Sequence, residues 1–499
     1  MKLQLSDDDK YLIVVDASEI EIEQLKICLT RKVNGWRFHP LVKQGHWDGN
    51  VSYFIKDRFI PAGLWKEIIE ICKKFNYEIE IEGIRRLFDN TIKHDEFEKW
   101  VKEHFAGFNM EIRPYQINAA YQVLKNRLCV AELATSAGKT LISYIVVSYL
   151  LQKQLAQRIL FIVPSVSLVT QGVSDFKSYA RFVEDPVKIK FQEVYSGQAT
   201  RPESNFVIGT YQSLSKKPKE YFEDFDAVIV DETHKVKAQS IKQILEKCTN
   251  AVYRFGLSGT IPKPETLDRL TLMSYTGPLI TEVSANYLAS EGFVTKCRVQ
   301  VIEMDYASEE VKMAFANISR SPNRKELFQM EQDFIVKNDE RLNFIANVIG
   351  KSTKSSLVLF HRIEHGQKLY KLLREKFSRP IYYVDGGTDA DIRDVYKDKM
   401  EKRDNVILIA SFGTFSTGIS IKNIHNIFFT ESFKSEIIVR QSIGRGLRLH
   451  KDKELLTIID FVDNFSYDGW DGYLYKHGKE RQKIYKDQKF SYAVKQVKF

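Results

Sequence analysis

The sequence predicts an α/β protein with two parallel sheets in tandem, a small α+β unit ahead of them and a short helical tail behind. Three observations point there. Short β-rich apolar runs alternate with amphipathic helical stretches, the pattern of a parallel sheet covered by helices, and that pattern occurs twice. The chain has 499 residues, more than one hydrophobic core can organise. Hydrophobic residues make up 43% and charged residues 28%, a mixture that buries cores while keeping a solvated surface.

Residues 1–105 mix strand-like runs (YLIVV, YEIEIEG) with helical ones (EIEQLKICLTRKV, LWKEIIEICKKF), hence the small α+β domain. The first sheet falls within 106–300, with strands expected at 129–133, 159–163, 206–208, 227–230 and 255–257. Residues 301–350 have helical periodicity with a Ser-Pro-Asn break and read as a helical linker. The second sheet falls within 351–465, with strands at 357–360, 381–384, 406–409, 427–429 and 456–459. Residues 466–499 form a basic, aromatic tail. From 476 onward it holds Lys476, Lys479, Arg481, Lys483, Lys486, Lys489, Lys495 and Lys498 against Glu480 and Asp487, with Tyr485, Phe490 and Tyr492 interleaved. Two readings of it stand equally open: a segment lying along phosphates with rings for stacking, or a helix packing its rings onto the second sheet.

The formal net charge of +9 and the pI of about 8.9 favour a polyanionic partner, although many basic proteins bind no nucleic acid. Five widely spaced cysteines, with no CxxC pair and no zinc-ligand spacing, read as reduced, buried thiols. Acids interrupt the N-terminal stretch where a signal peptide needs an apolar core, and no later run approaches the ~18 residues of a membrane span, so a cytoplasmic protein is expected. In the N-terminal unit Arg37, Lys43, His46 and Trp47 lie in a Gly-bounded stretch that could touch duplex DNA; Trp36 and Trp47 are more often core residues.

Three pieces carry chemistry. After the strand CVAEL comes ATSAGKT, residues 134–140, leading into an apolar helix. A small-residue turn exposes backbone N–H groups and a helix N-terminus to a phosphate chain, Lys139 adds a charge at the β and γ phosphates, and Thr140 can ligate Mg2+. Leu133 stands where the usual phosphate-loop pattern has its first glycine, and a Gly-Lys turn can also merely cap a helix. Second, Asp231 and Glu232 follow the apolar strand DAVIV, so the acid pair sits at a carboxyl edge where ligands of parallel sheets bind. Asp231 would hold Mg2+ through water and Glu232 would polarise the attacking water; elsewhere an Asp-Glu pair is usually just a solvated surface. Third, Gln441, Arg445 and Arg448 are spaced i, i+4 and i+7, one face of a helix, where two guanidiniums can clamp a γ-phosphate. A solvated basic helix is the plainer alternative.

In order, Arg113-Pro114-Tyr115-Gln116, ATSAGKT, VPSVSLVTQ, GTYQS, DETH, LSGT, FSTGIS and QSIGRGLR resemble the motif series of the superfamily 2 DExH-type helicases over roughly residues 111–460. That resemblance implies two RecA-like lobes, ATP and Mg2+ as cofactors, and DNA as the track. It implies that Arg113, Tyr115 and Gln116 serve adenine recognition, and that Thr135, Ser136, Ala137, Gly138, Lys139 and Thr140 form the phosphate cradle. His234, Ser258 and Thr260 would couple hydrolysis to movement. Thr417 and Gly418 would touch both DNA and nucleotide, and Pro164, Ser165, Thr210 and Gln212 would contact the tracked strand. Singly, each accessory piece could be an ordinary loop or core residue.

The stretch GWRFHPLVKQGHWDGNVSYF, the following RFIPAGL and the tail HGKERQKIYKDQKFSYAVKQVKF are in turn similar to the UvsW family of phage recombination helicases. This implies action on branched DNA: regressing forks, migrating four-way junctions and dismantling D-loops or R-loops, the last with RNA–DNA hybrids as substrates. A monomer in the host cytoplasm, working beside single-strand-binding or recombination proteins, is expected. The rivals are a restriction-type or repair duplex translocase, and an ATP-gated clamping or annealing factor that does not unwind.

Overall fold

The structure, a computed structural model, describes residues 1–108, 110–183, 186–195, 201–233, 238–320, 324–416 and 421–499. The chain divides into two compact units, Met1–Val283 and Ser284–Phe499.

The first unit opens with a mixed four-stranded sheet in the order Phe59–Pro61, Tyr11–Asp16, Lys2–Leu5, Glu80–Glu82. The helix Glu19–Cys28 starts in a capping box, with Ser18 and Glu21 each accepting the other's backbone N–H. Its Leu25, with Ile68 and Cys72 of the helix Trp65–Lys74, joins Leu3, Leu5, Leu12 and Ile60 of the sheet in one core. Leu270 and Met273, from the much later helix Leu267–Thr276, belong to that same core. The joint is close. A Cβ on Gly63 would come within 2.2 Å of the Met273 carbonyl oxygen, so only glycine fits there, and the Tyr53 hydroxyl donates to Thr271 Oγ1 at 2.7 Å.

Next comes a seven-stranded parallel sheet in the order Leu279–Val283, Leu128–Leu133, Tyr253–Ser258, Ala227–Asp231, Ile159–Val163, Phe206–Thr210, Phe191–Val194. The interior strands Ile159–Val163 and Phe206–Thr210 are buried at every position, which is why they read as continuous apolar runs. The helix Lys139–Gln152 is buried from Leu141 through Leu150, packed between the helices Pro114–Lys125 and Val166–Ala180.

The second unit is built on another seven-stranded parallel sheet: Ile381–Val384, Ile407–Ser411, Ser356–Phe360, Asn426–Phe429, Leu455–Asn464, Lys296–Asp305, Ser491–Lys498. Both units are thus RecA-like lobes, the first carrying the α+β region. The stretch 301–350 supplies the end of the strand Lys296–Asp305 as well as the helices Glu309–Ser319, Arg324–Lys337 and Asp339–Gly350. The tail forms the helix Tyr473–Asp487 and then adds the edge strand Ser491–Lys498.

That tail helix is fixed by buried charge. Arg481 is fully buried, with its guanidinium on both oxygens of Asp460 and on the Phe433 carbonyl oxygen, while the Tyr485 hydroxyl donates to Asp460 at 2.8 Å. Tyr485 is therefore a core residue, whereas Tyr492 stays 38% exposed. A second buried pair, Arg341 with Asp463, is joined by Tyr306, whose hydroxyl donates to Asp463 at 2.6 Å. Buried guanidiniums need compensating carboxylates of this kind.

Glu331 closes the other end of the tail helix, accepting the backbone N–H of Tyr473 at 3.0 Å and of Leu474 at 2.8 Å. Burial pushes its carboxyl up to about 7, against the pull of those two donors. The folded chain therefore holds a proton that the unfolded chain, near the ordinary value of 4.5, has released, and stability from this site falls as pH rises from about 4.5 to 7. The loss should be on the order of 1–3 kcal/mol. Glu331→Gln is expected to flatten that slope, read as the denaturation midpoint of the full chain at pH 5.5 and 7.5. An unchanged slope would remove Glu331 as its source.

The five cysteines are free thiols; Cys72, Cys129 and Cys248 are buried, while Cys28 and Cys297 are only partly so. No helix among the described residues is long and apolar enough to cross a membrane.

Candidate nucleotide and nucleic-acid site

The strand Leu128–Leu133 delivers the turn 134–138 at the carboxyl edge of the first parallel sheet, and the helix Lys139–Gln152 begins directly after it. Gly138 sits in the left-handed region (φ 79°), a backbone that favours glycine, and a Cβ there would push aside the Gln116 side-chain amide 2.5 Å away. Leu133 is the fully buried last residue of the strand, which explains how the loop dispenses with a glycine at that point. The first turn of the helix leaves its N–H groups facing the loop, a ready anion site.

The chemistry-bearing side chains meet there because three neighbouring strands end together. Asp231 closes Ala227–Asp231 and Ser258 closes Tyr253–Ser258, the strand between it and the phosphate loop. Lys139 Nζ lies 2.5 Å from Glu232 Oε1, both side chains largely shielded at 10% and 15% exposure. Glu232 takes a left-handed backbone (φ 49°), costly for a residue with a Cβ, and its N–H donates to Asp231 Oδ1 at 2.9 Å. Ser258 Oγ donates to the Thr260 carbonyl at 2.6 Å, folding the turn back. A Cβ on the intervening Gly259 would stand 3.4 Å from Thr135 Oγ1 and 3.5 Å from Lys139 Nζ. That turn and the phosphate loop are in contact.

Tyr115 and Gln116 both donate to the Ala137 carbonyl oxygen at 3.1 Å, and Gln116 accepts the Arg113 N–H at 3.0 Å. The helix Pro114–Lys125 thereby fastens its first turn to the loop. Thr140 and Asp231 line one cleft, together with Gln171 and Asp175 of the helix Val166–Ala180. A hydroxyl and carboxylates are the oxygen donors that a hard divalent cation takes. Gln171 and Asp175 were not singled out from sequence, although their i, i+4 spacing on one helix face was a usable signal.

Beside this cluster the next two strands present the polar group expected to contact a nucleic acid. Val163 and Thr210 are paired in register, so Pro164 and Ser165 leave the sheet next to Thr210 and Gln212. Thr210 caps the short helix Tyr211–Leu214 by accepting the Ser213 N–H, and Gln212 Nε2 reaches the Pro164 carbonyl at 3.4 Å. His234, Thr417 and Gly418 lie outside the described residues.

In the second unit Ser435 caps the helix Glu436–Gly446, which carries Gln441 and Arg445. Gln441 is buried. Arg445 Nη1 donates to the Phe415 carbonyl at 2.6 Å, with the guanidinium 5.3 Å from the Phe415 ring centroid. Arg448 lies just beyond the helix, whose C-cap is Leu447, so its spacing from Arg445 is that of a terminating turn. Its carbonyl accepts from Thr295 Oγ1 at 3.4 Å. Phe415, which fixes Arg445, was not anticipated from sequence.

A phosphate loop and an acid pair after a buried strand, with helical arginines on a second parallel sheet, define the class of RecA-like nucleotide-hydrolysing motors. Residues 109–263 match the type III restriction enzyme res-subunit family, 340–450 the helicase conserved C-terminal domain, and 2–82 the N-terminal region of DNA helicase UvsW. The chain is 30% identical over 517 residues to the ATP-dependent DNA helicase uvsW of Enterobacteria phage T4, covering all of both. The crystal structure of T4 UvsW matches at TM-score 0.50 and 28% identity, over 100% of this chain and 99% of that one. The DNA 3'-5' translocase XPB2 of Sulfurisphaera tokodaii is 22% identical, over 70% of this chain and 81% of its own. The chain belongs to the UvsW family of ATP-dependent DNA helicases.

Proposed function

We propose that this helicase acts on branched DNA, regressing forks, migrating four-way junctions and unwinding D-loops and R-loops in the host cytoplasm, as a monomer beside single-strand-binding or recombination proteins. What supports the choice of substrate is the extent of the family likeness, which takes in the N-terminal region and the tail as well as the two lobes.

Within the site, Lys139 and the N–H groups of the loop bind the phosphates, Arg113, Tyr115 and Gln116 place the base, and Glu232 orients the attacking water and accepts its proton. Mg2+ fits the oxygen donors Thr140 and Asp231, the latter through water, and when bound supplies charge compensation at the phosphates. Gln441, Arg445 and Arg448 stabilise the charge on the transferred phosphoryl group. His234, Ser258 and Thr260 couple that event to movement, Pro164, Ser165, Thr210, Gln212 and Thr417 serve DNA binding, and Gly418 serves nucleotide binding. The observation that carries the catalytic part is the 2.5 Å contact between Lys139 and Glu232: phosphate entering the loop must compete with Glu232 for the ammonium, which frees the carboxylate for water.

The test compares ATPase stimulation by single strands, linear duplexes, forks and four-way junctions of equal length, alongside strand displacement and annealing. Forks and junctions should raise kcat/KM about tenfold over linear duplex. Equal stimulation by linear duplex would replace this reading with a duplex translocase, and annealing without displacement with a clamping factor.

A further inference from the structure

The stretch 33–49 leaves and re-enters the first unit through a two-stranded antiparallel pair, Thr30–Lys32 with Asn50–Ser52, and stands as a self-supported tip. Val33 N–H donates to the Gly49 carbonyl at 2.9 Å and closes its neck. Trp36 lies under Lys32, whose Nζ is 3.5 Å from the ring centroid. Trp47 meets His39 edge-on at 5.1 Å and donates its indole N–H to the Asn50 carbonyl at 2.9 Å. The two tryptophans therefore hold the tip together.

Phe38 does not. It is 75% exposed, the most exposed large apolar side chain among the described residues, and Leu41, 46% exposed, stands three residues on. Arg37 and Lys43 beside them are exposed. From Gln24 to Trp47 there is no acid at all, against Lys26, Arg31, Lys32, Arg37 and Lys43.

We propose that Phe38 stacks on an unpaired base of the DNA substrate, with Arg37 and Lys43 on the flanking phosphates. An aromatic face flanked by cations, with the tip's one acid, Asp48, held at the neck by Asn50, matches a nucleotide, which offers a flat ring and an anion together. A protein partner fits less well. A specific protein interface needs about 800 Å² per side, whereas one ring and one leucine offer far less, and one ring suffices for one base. The inference deepens the branched-DNA reading, since forks and junctions present unpaired bases at the edge of duplex.

The experiment uses the full chain and a fork carrying 2-aminopurine in place of the unpaired base nearest the branch. The parent should quench the probe on binding. Phe38→Ala should abolish the quenching and weaken fork binding roughly tenfold, while leaving ATPase stimulation by saturating single-stranded DNA unchanged; so exposed a side chain leaves no cavity when removed. Phe38→Trp should restore both effects and Phe38→Leu should not, which separates stacking from simple apolar contact. Arg37→Gln should lower the salt dependence of fork binding by about one phosphate contact. Fork affinity and quenching unchanged in Phe38→Ala would overturn the proposal. A parent with no preference for forks over linear duplex would instead remove the branched-DNA reading and leave the stacking result to be judged by its own variants.

Discussion

Lys139→Ala is expected to reduce DNA-stimulated ATP turnover by at least roughly 10²–10³-fold, the scale on which a preorganised cationic donor contributes. The side chain is the first residue of a helix whose preceding turn is fixed by Gly138, so its ammonium is held at the loop before any nucleotide arrives. Alanine keeps the helix start but leaves the phosphate loop with backbone donors alone. The fold should persist: Glu232 loses its contact with Lys139, yet its side chain retains 15% exposure and a route to water, a cost of about 1–2 kcal/mol. Circular dichroism and the denaturation midpoint check the fold, and steady-state ATPase assays check turnover. A folded variant that turns over ATP at the parental rate would remove Lys139 from the phosphate cradle.

Arg448→Ala should divide binding from chemistry. A guanidinium that compensates the charge of the departing phosphoryl group is worth roughly 10³–10⁵ in turnover and little in the ground state. ATP affinity should therefore stay near the parental value while kcat collapses. A variant that fails to bind ATP but hydrolyses normally per bound molecule would contradict the assignment.

Most interior strands were legible because parallel strands buried on both faces leave unbroken apolar runs, and each of the ten expected strands, nine interior and the edge strand Ile381–Val384, has a counterpart in the two parallel sheets. Four strands escaped notice. Leu279–Val283, Phe191–Val194 and Ser491–Lys498 are sheet edges, with one neighbour each and polar residues such as Gln192, Glu193, Lys495 and Gln496 among them. Lys296–Asp305 alternates polar and apolar residues through its first half and was hidden at a boundary between expected segments. The tail could not be resolved into packing or solvated strand because Arg481 looks like any surface arginine until Asp460 is placed opposite it. At the site, Lys139, Asp231 and Glu232 were legible from the loop and strand that present them. The link from Arg445 to Phe415 spans 30 residues and had no local signal.

Gly63, pressed against the carbonyls of Met273 and Ser274, has a mechanical implication. The helix it touches follows the Ser258–Thr260 turn in the chain, and its Leu270 and Met273 complete the N-terminal core. The amino-terminal extension is therefore welded to the ATP-binding body and cannot swing on a tether. Anything bound at its far end would be carried in that body's own frame, as on a fixed outrigger.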